Sequence, residues 1–89
     1  MAITGSRVSV TQAATLVARG AGSGSGILVK NGDSTNAISI GGSTVTYAAG
    51  FLMAAGDVAP MDLGPAEELY GIADTGVTVV VHLLQKERA

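Results

Sequence analysis

The residue types that could do chemistry in this chain are few, and their spacing argues against most reactions. There is one histidine, His82, and there is no cysteine. A single imidazole without thiolates cannot complete the ligand set of a zinc site. Lack of cysteine also removes disulfides and sulfur nucleophiles. The densest carboxylates are Asp62 and the pair Glu67-Glu68. Paired carboxylates serve glycoside hydrolysis, but that reaction also needs a deep cleft with rings on which sugars stack. The aromatic residues are three: Tyr47, Phe51 and Tyr70. Serines are plentiful but lie in glycine-rich turns, and no Gly-x-Ser-x-Gly elbow leads into a helix. Gly20 to Gly26, GAGSGSG, lacks the Lys-Ser/Thr pair and following helix of a phosphate loop, and reads as a flexible connection. Asp33 to Gly42 lacks the ligand spacing of a calcium loop. The expectation is a protein that is not an enzyme and uses no cofactor or metal.

The elements that would position these side chains are strands. Asn36 to Gly50, NAISIGGSTVTYAAG, reads as two alternating runs about a Gly41-Gly42 hairpin, with Ile38, Ile40, Val45 and Tyr47 inward. Val8 and Val10 share a face in RVSVT, and Asn31-Gly32 carries the signature of a tight turn. Ala13 to Arg19 is a strand or a helical turn, with strand favoured because the run is short and Gly20 follows. Gly26 to Lys30, GILVK, alternates little and is expected to be buried on both sides or to border an interface. Pro60 places Val58 to Leu63 at a sheet edge or a bulge. Glu67 to Ile72 is also taken as a strand, since Gly71 weakens a helix there. The longest run is Val77 to Gln85. Val77, Val79, Val81 and Leu83 form one face of it, and Thr78, Val80, His82 and Leu84 the other. An all-β fold follows: a small antiparallel sandwich or barrel of about eight short strands, residues 8–85. It is preceded by an arm at residues 1–7 and followed by a tail at 86–89.

Eighty-nine residues make one small domain. Apolar residues are 47% of the chain and charged residues 13%. Apolar surface is therefore expected to remain exposed on a monomer, which favours oligomers or docking. The net charge is −2, unevenly spread: Arg7, Arg19 and Lys30 precede residue 33, whereas every charge from Asp33 to Asp74 is acidic. No basic cluster interleaved with aromatics favours nucleic acid. No segment has the roughly 20 apolar residues of a membrane helix, and Met1 to Val10 does not resemble a secretion signal.

The motifs and their order resemble a family of small β-sandwich structural proteins of tailed bacteriophages. The matching segments are VSVTQAATLVA (Val8 to Ala18), ILVKNGDSTNAISIGG (Ile27 to Gly42), GFLMAAGDVAPMDLG (Gly50 to Gly64) and ELYGIADTGVTVVVHLL (Glu68 to Leu84). The resemblance implies a structural role in the virion, as a capsid decoration protein, a head fibre or a module of another particle protein. It carries no catalytic residues. The implied partner is the major capsid protein, and the implied location is the capsid surface after synthesis in the host cytoplasm. A homo-oligomer, with a trimer favoured, is expected. Ala2, Ile3 and Arg7 of the arm are the candidate capsid contacts. Val80, His82 and Leu84 are the candidate subunit interface. The alternative is a fibre or tail module that binds host-surface glycans, which the scarcity of aromatic rings disfavours.

Overall fold

The computed structural model describes residues 3–87. Eight strands occupy them: β1 (Ile3–Val10), β2 (Thr15–Arg19), β3 (Ser25–Asn31), β4 (Ile38–Gly41), β5 (Phe51–Met53), β6 (Val58–Leu63), β7 (Glu68–Ala73) and β8 (Val79–Glu87). They form two four-stranded sheets in the orders β1-β8-β3-β6 and β2-β7-β4-β5. All pairs are antiparallel. Successive strands mostly alternate between the sheets, and this order is that of an eight-stranded jelly roll.

Alternation builds the core. Val10, Ile27, Val29, Ile38, Ile40, Met53, Val79, Val81 and Leu83 point between the sheets and are buried, with Val8 and Val77 packed against them. Nearly all of these are aliphatic, so the interior is held by dispersion and burial. Three polar residues are buried with them: Ser25, Asn31 and Ser39. Each has a partner. Asn31 Nδ2 donates to the carbonyls of Asn36 (2.9 Å) and Met53 (3.1 Å), while its Oδ1 accepts from the Asp33 amide (2.9 Å). Ser25 Oγ accepts from the Ala21 amide and from Gln85 Nε2, and Ser39 Oγ donates to the Tyr47 carbonyl. These bonds offset the desolvation that would otherwise oppose burying the groups.

Several expectations need correction. Residues 3–7 are not a free arm but the first half of β1, paired from Ile3↔Lys86 to Arg7↔His82. Strand β8 runs on to Glu87, and β1 satisfies the backbone groups that this length leaves open. Lys86 and Glu87 therefore belong to a strand and not to a tail. There is no Gly41-Gly42 hairpin. Residues 42–50 form a loop of turns, and β4 pairs instead with Phe51–Met53. Val45 and Tyr47 are half-buried in that loop. The loop lies over the outer side of β4, where a side chain at Gly50 would sit 2.7 Å from Ser39 Cβ. Asn31-Gly32 is not a hairpin turn either, because β3 and β4 lie in different sheets and neither residue has positive φ. Gly32 is required by close approach: its amide donates to the Val80 carbonyl (3.0 Å), and a Cβ there would lie 2.6 Å from that oxygen. The Gly20–Gly26 stretch is a tight turn at 20–24 followed by the first residues of β3. Gly20 is tied to residues 66 and 67 by two backbone hydrogen bonds. Strand β3 alternates after all: Ile27 and Val29 point inward, and Leu28 and Lys30 point out.

Candidate functional site

The site is built on the outer face of the β1-β8-β3-β6 sheet. Register places its side chains in rows across the four strands. One row is Arg7, His82, Lys30 and Val58, on β1, β8, β3 and β6 in turn. The next is Gly5, Leu84, Leu28 and Pro60. The third is Ile3, Lys86, Gly26 and Asp62. Opposed Cβ atoms in such rows stand roughly 4.5–5.5 Å apart, so each row is a continuous strip.

The middle strip is apolar and open to solvent. Leu28 is 39% exposed, Leu84 48% and Ile3 66%, with Val80 and Val58 also exposed nearby. Gly26 contributes no side chain, and this leaves a groove of about 460 Å³ with Ile3, Leu28, Pro60 and Leu84 on its walls and Lys86 and Asp62 at one side. A Cβ at Gly26 would meet only Asp62 Oδ1 at 3.6 Å, so the floor is open and not crowded. Leucines on a pleated surface normally point inward or pack on a neighbour. Here they surround a depression.

Charge is segregated on the same face. Of the four Lys and Arg side chains among the described residues, Arg7, Lys30 and Lys86 stand on it, and of the seven acids only Asp62 does. Acids gather toward both ends of the sandwich: Asp62, Glu67, Glu68 and Glu87 toward one, and Asp33, Asp57 and Asp74 at the other. The connections at 11–14, 32–37, 54–57 and 74–78 meet there, joined by bonds such as Asn31 N to Asp57 O and Gly76 N to Gln12 Oε1. They carry Asp33, Asp57 and Asp74 and no Lys or Arg. Asp33 accepts from the backbone amides of Thr35 and Asn36, and these bonds, chiefly that from Thr35, hold its carboxyl below the ordinary value of 3.8.

No protein family and no curated protein matches the chain. Among solved structures, a chain from Bacillus endospore appendages, described as a family of disulfide-linked pili, is similar over 98% of this chain and 89% of its own length. The TM-score is 0.54 at 14% identity. At that identity the likeness is one of fold.

The residues singled out from the sequence fall as follows. Ala2 lies outside the described residues. Ile3 and Arg7 project from β1 onto the same outer face as Val80, His82 and Leu84 of β8, so two surfaces expected to be separate are one. His82 is half-buried beside Gly32, where its ring comes within 2.5 Å of the position a Cβ would take. Pro60 was not foreseen as part of the site, and Gly26, Leu28 and Lys30 were expected only within a strand either buried on both sides or bordering an interface. The signal was the alternation of Gly26, Leu28 and Lys30 against Ile27, Val29 and Asn31. Among the described residues no cluster of three or more His, Asp or Glu could hold a metal ion.

Proposed function

We propose that this chain is a coat module without catalytic activity, a capsid decoration protein of a tailed phage, which docks on the shell through the outer face of the β1-β8-β3-β6 sheet. The observation that carries the reading is the exposed groove of Ile3, Leu28, Pro60 and Leu84 on an otherwise well-satisfied sandwich. Ordered motifs that resemble phage structural proteins supply the kind of particle, and the jelly-roll order is one that recurs in capsid domains. Binding by this face would bury apolar surface over the junctions between shell subunits and so raise the temperature at which the shell opens.

The experiment is reconstitution. Capsids stripped of the protein should rebind it and melt at a higher temperature. Gly26→Val fills the groove with no backbone clash, and should lose rebinding while the isolated domain keeps or raises its own Tm. Full rebinding by Gly26→Val, or no change in capsid melting, would overturn the assignment.

A second reading, a subunit of a homopolymeric appendage, is favoured by the fold likeness to the endospore pilus chain. The present sequence has no cysteine, so such a polymer would be held without disulfides. Filaments formed by the purified protein alone would favour it. The glycan-binding alternative has less to stand on: of the three aromatic residues only Phe51 is exposed, and Tyr47 and Tyr70 are half-buried.

A further inference from the structure

The charge layout points to a second copy of this chain as a partner: we propose that the acidic loop end of one copy docks against the Arg7-His82-Lys30 row of the next. The inference rests on the coat-module reading for its purpose, though its chemistry can be measured without any capsid.

Three observations lead to it. First, Arg7 and Lys30 flank His82 on adjacent strands, and no acid stands in that row. Arg7 and Lys30 stand two strands apart, roughly 10 Å, so they repel each other little, but both open to the same side and one acidic surface could face them together. Second, the chain itself supplies such a surface. Asp33, Asp57 and Asp74 crown one end, and their connections are made largely of Gly, Ala, Ser and Thr, which permit close approach. Each carboxylate already accepts a bond from its own turn, which fixes its position. Third, pairing the basic face with itself would set Arg7, Lys30 and Lys86 against their own copies, so a two-fold face-to-face dimer is disfavoured.

Dimensions agree with a partial contact. The Cα trace measures 39 × 24 × 16 Å. Two packed sheets are about 10 Å apart, so the shortest extent is the sandwich thickness. The loop end therefore presents roughly the 24 × 16 Å section to a 39 × 24 Å face. It covers the half that carries the basic row and Val80, and leaves the groove beside Ile3 and Leu84 open for another surface. A contact of this size lies at the weak end of specific interfaces. Because it joins different surfaces, it extends into a ring or a chain of copies.

The test is sedimentation equilibrium of the full chain over a concentration series at low and high NaCl. Concentration-dependent association at low salt that disappears at about 0.5 M is expected, since screening then acts within a few ångströms. Asp57→Asn keeps the acceptor for the Ala54 amide and should weaken the association constant about two- to fivefold. Lys30→Glu and Asp57→Lys should each abolish association, and an equimolar mixture of the two should restore it. Thermal melts of every variant report that the fold is intact. Should Asp57→Lys disturb its turn, Asp74→Lys with Lys30→Glu serves as the second pair. Association that ignores salt, or that survives both Asp57→Lys and Asp74→Lys, overturns the proposal, as does the absence of association at millimolar concentration. Capsid rebinding is scored separately. Lost self-association with intact rebinding removes this inference alone, and the converse removes the decoration reading alone.

Discussion

Asn31 is the residue on which a polar perturbation should act most strongly. Its side chain is fully buried at the end of β3 and reaches from one sheet to the other, donating to the carbonyl of Met53 in β5 and of Asn36 in the connection to β4. Its Oδ1 holds the amide of Asp33. Asn31→Ala removes all three bonds. The Met53 carbonyl is then left buried without its partner, at a cost of about 1–3 kcal/mol, and the two partly buried groups add roughly 0.5–1 kcal/mol each as they rehydrate incompletely. The expected loss is about 2–5 kcal/mol. At some 4–8 °C per kcal/mol for a domain of this size, the Tm falls by about 8–40 °C.

Asn31→Asp is the sharper probe because it keeps the shape. It turns the donor that serves two carbonyls into an acceptor, and at neutral pH into a buried charge. The loss at pH 7 should exceed that of Asn31→Ala. Protonation restores one donor, so the folded state holds the proton more tightly and the new carboxyl's folded pKa lies above its unfolded value. The loss of the second donor persists at every pH, whereas the charge penalty is absent below the unfolded value of about 4 and grows as pH rises through the folded pKa. Urea melts of both variants and the parent between about pH 4 and pH 7 measure this. If Asn31→Asp is as stable as Asn31→Ala at pH 7, or shows no pH dependence beyond that of the parent, the assignment of donor and acceptors is wrong.

Four further outcomes follow from single sites. Gly20→Ala should cost about 1–3 kcal/mol, because its Cβ would strike the Gly64 carbonyl, whereas Gly22→Ala should stay within about 0.5 kcal/mol because nothing lies near; equal thermal melts would refute the contrast. Ser25→Ala should cost about 1–2 kcal/mol in denaturant melts, since Gln85 and the Ala21 amide both lose an acceptor. The Asp33 carboxyl, lowered in the fold by the amides of Thr35 and Asn36, supports stability above its unfolded pKa and loses that support as pH falls through the lowered value; Asp33→Ala should flatten this part of an acid titration followed by circular dichroism. Val80→Asp, on the exposed face, should reduce stability by no more than about 1 kcal/mol yet disperse any oligomer in light scattering; an unchanged mass in solution would exclude Val80 from the interface.

The strands were legible where alternation was clean. Val79, Val81 and Leu83 against Val80, His82 and Leu84 announce a strand with one buried face, and Pro60 announces an edge or a bulge, with β6 lying at an edge. What misled was glycine. Asn31-Gly32 and Gly41-Gly42 have the composition of tight hairpin turns, but the first lies where the chain crosses to the other sheet, and the second opens the loop at 42–50 before β5 returns beside β4. Gly32 is there to let the chain pass His82 and Val80, not to supply positive φ. Among the described residues, those that do adopt positive φ are Gly24, Gly56, Ala66 and Gly76; Gly56 directly precedes an aspartate and Gly76 lies two residues after one. Local turn chemistry cannot distinguish a return to the neighbouring strand from a step to the other sheet, because both bend the chain and only pairing partners tell them apart.

The surface was half legible for a related reason. The sequence identifies which residues of one strand share a face, as with Val80, His82 and Leu84, but a face is assembled from rows, and rows need register. Arg7, His82 and Lys30 are far apart in the chain and become neighbours only through the pairings of β8 with β1 and β3. The same pairings turn an N-terminal segment read as an arm into one wall of the groove, with Ile3 opposite Lys86. Charge along the chain already ran from basic to acidic. Folding turns that linear division into a basic row on one face and three aspartates in the loops beyond it, and surfaces of opposite sign fixed on one rigid body cannot close on each other. They can do so between molecules, which is why the salt dependence of self-association is the measurement that most directly tests what this face is for.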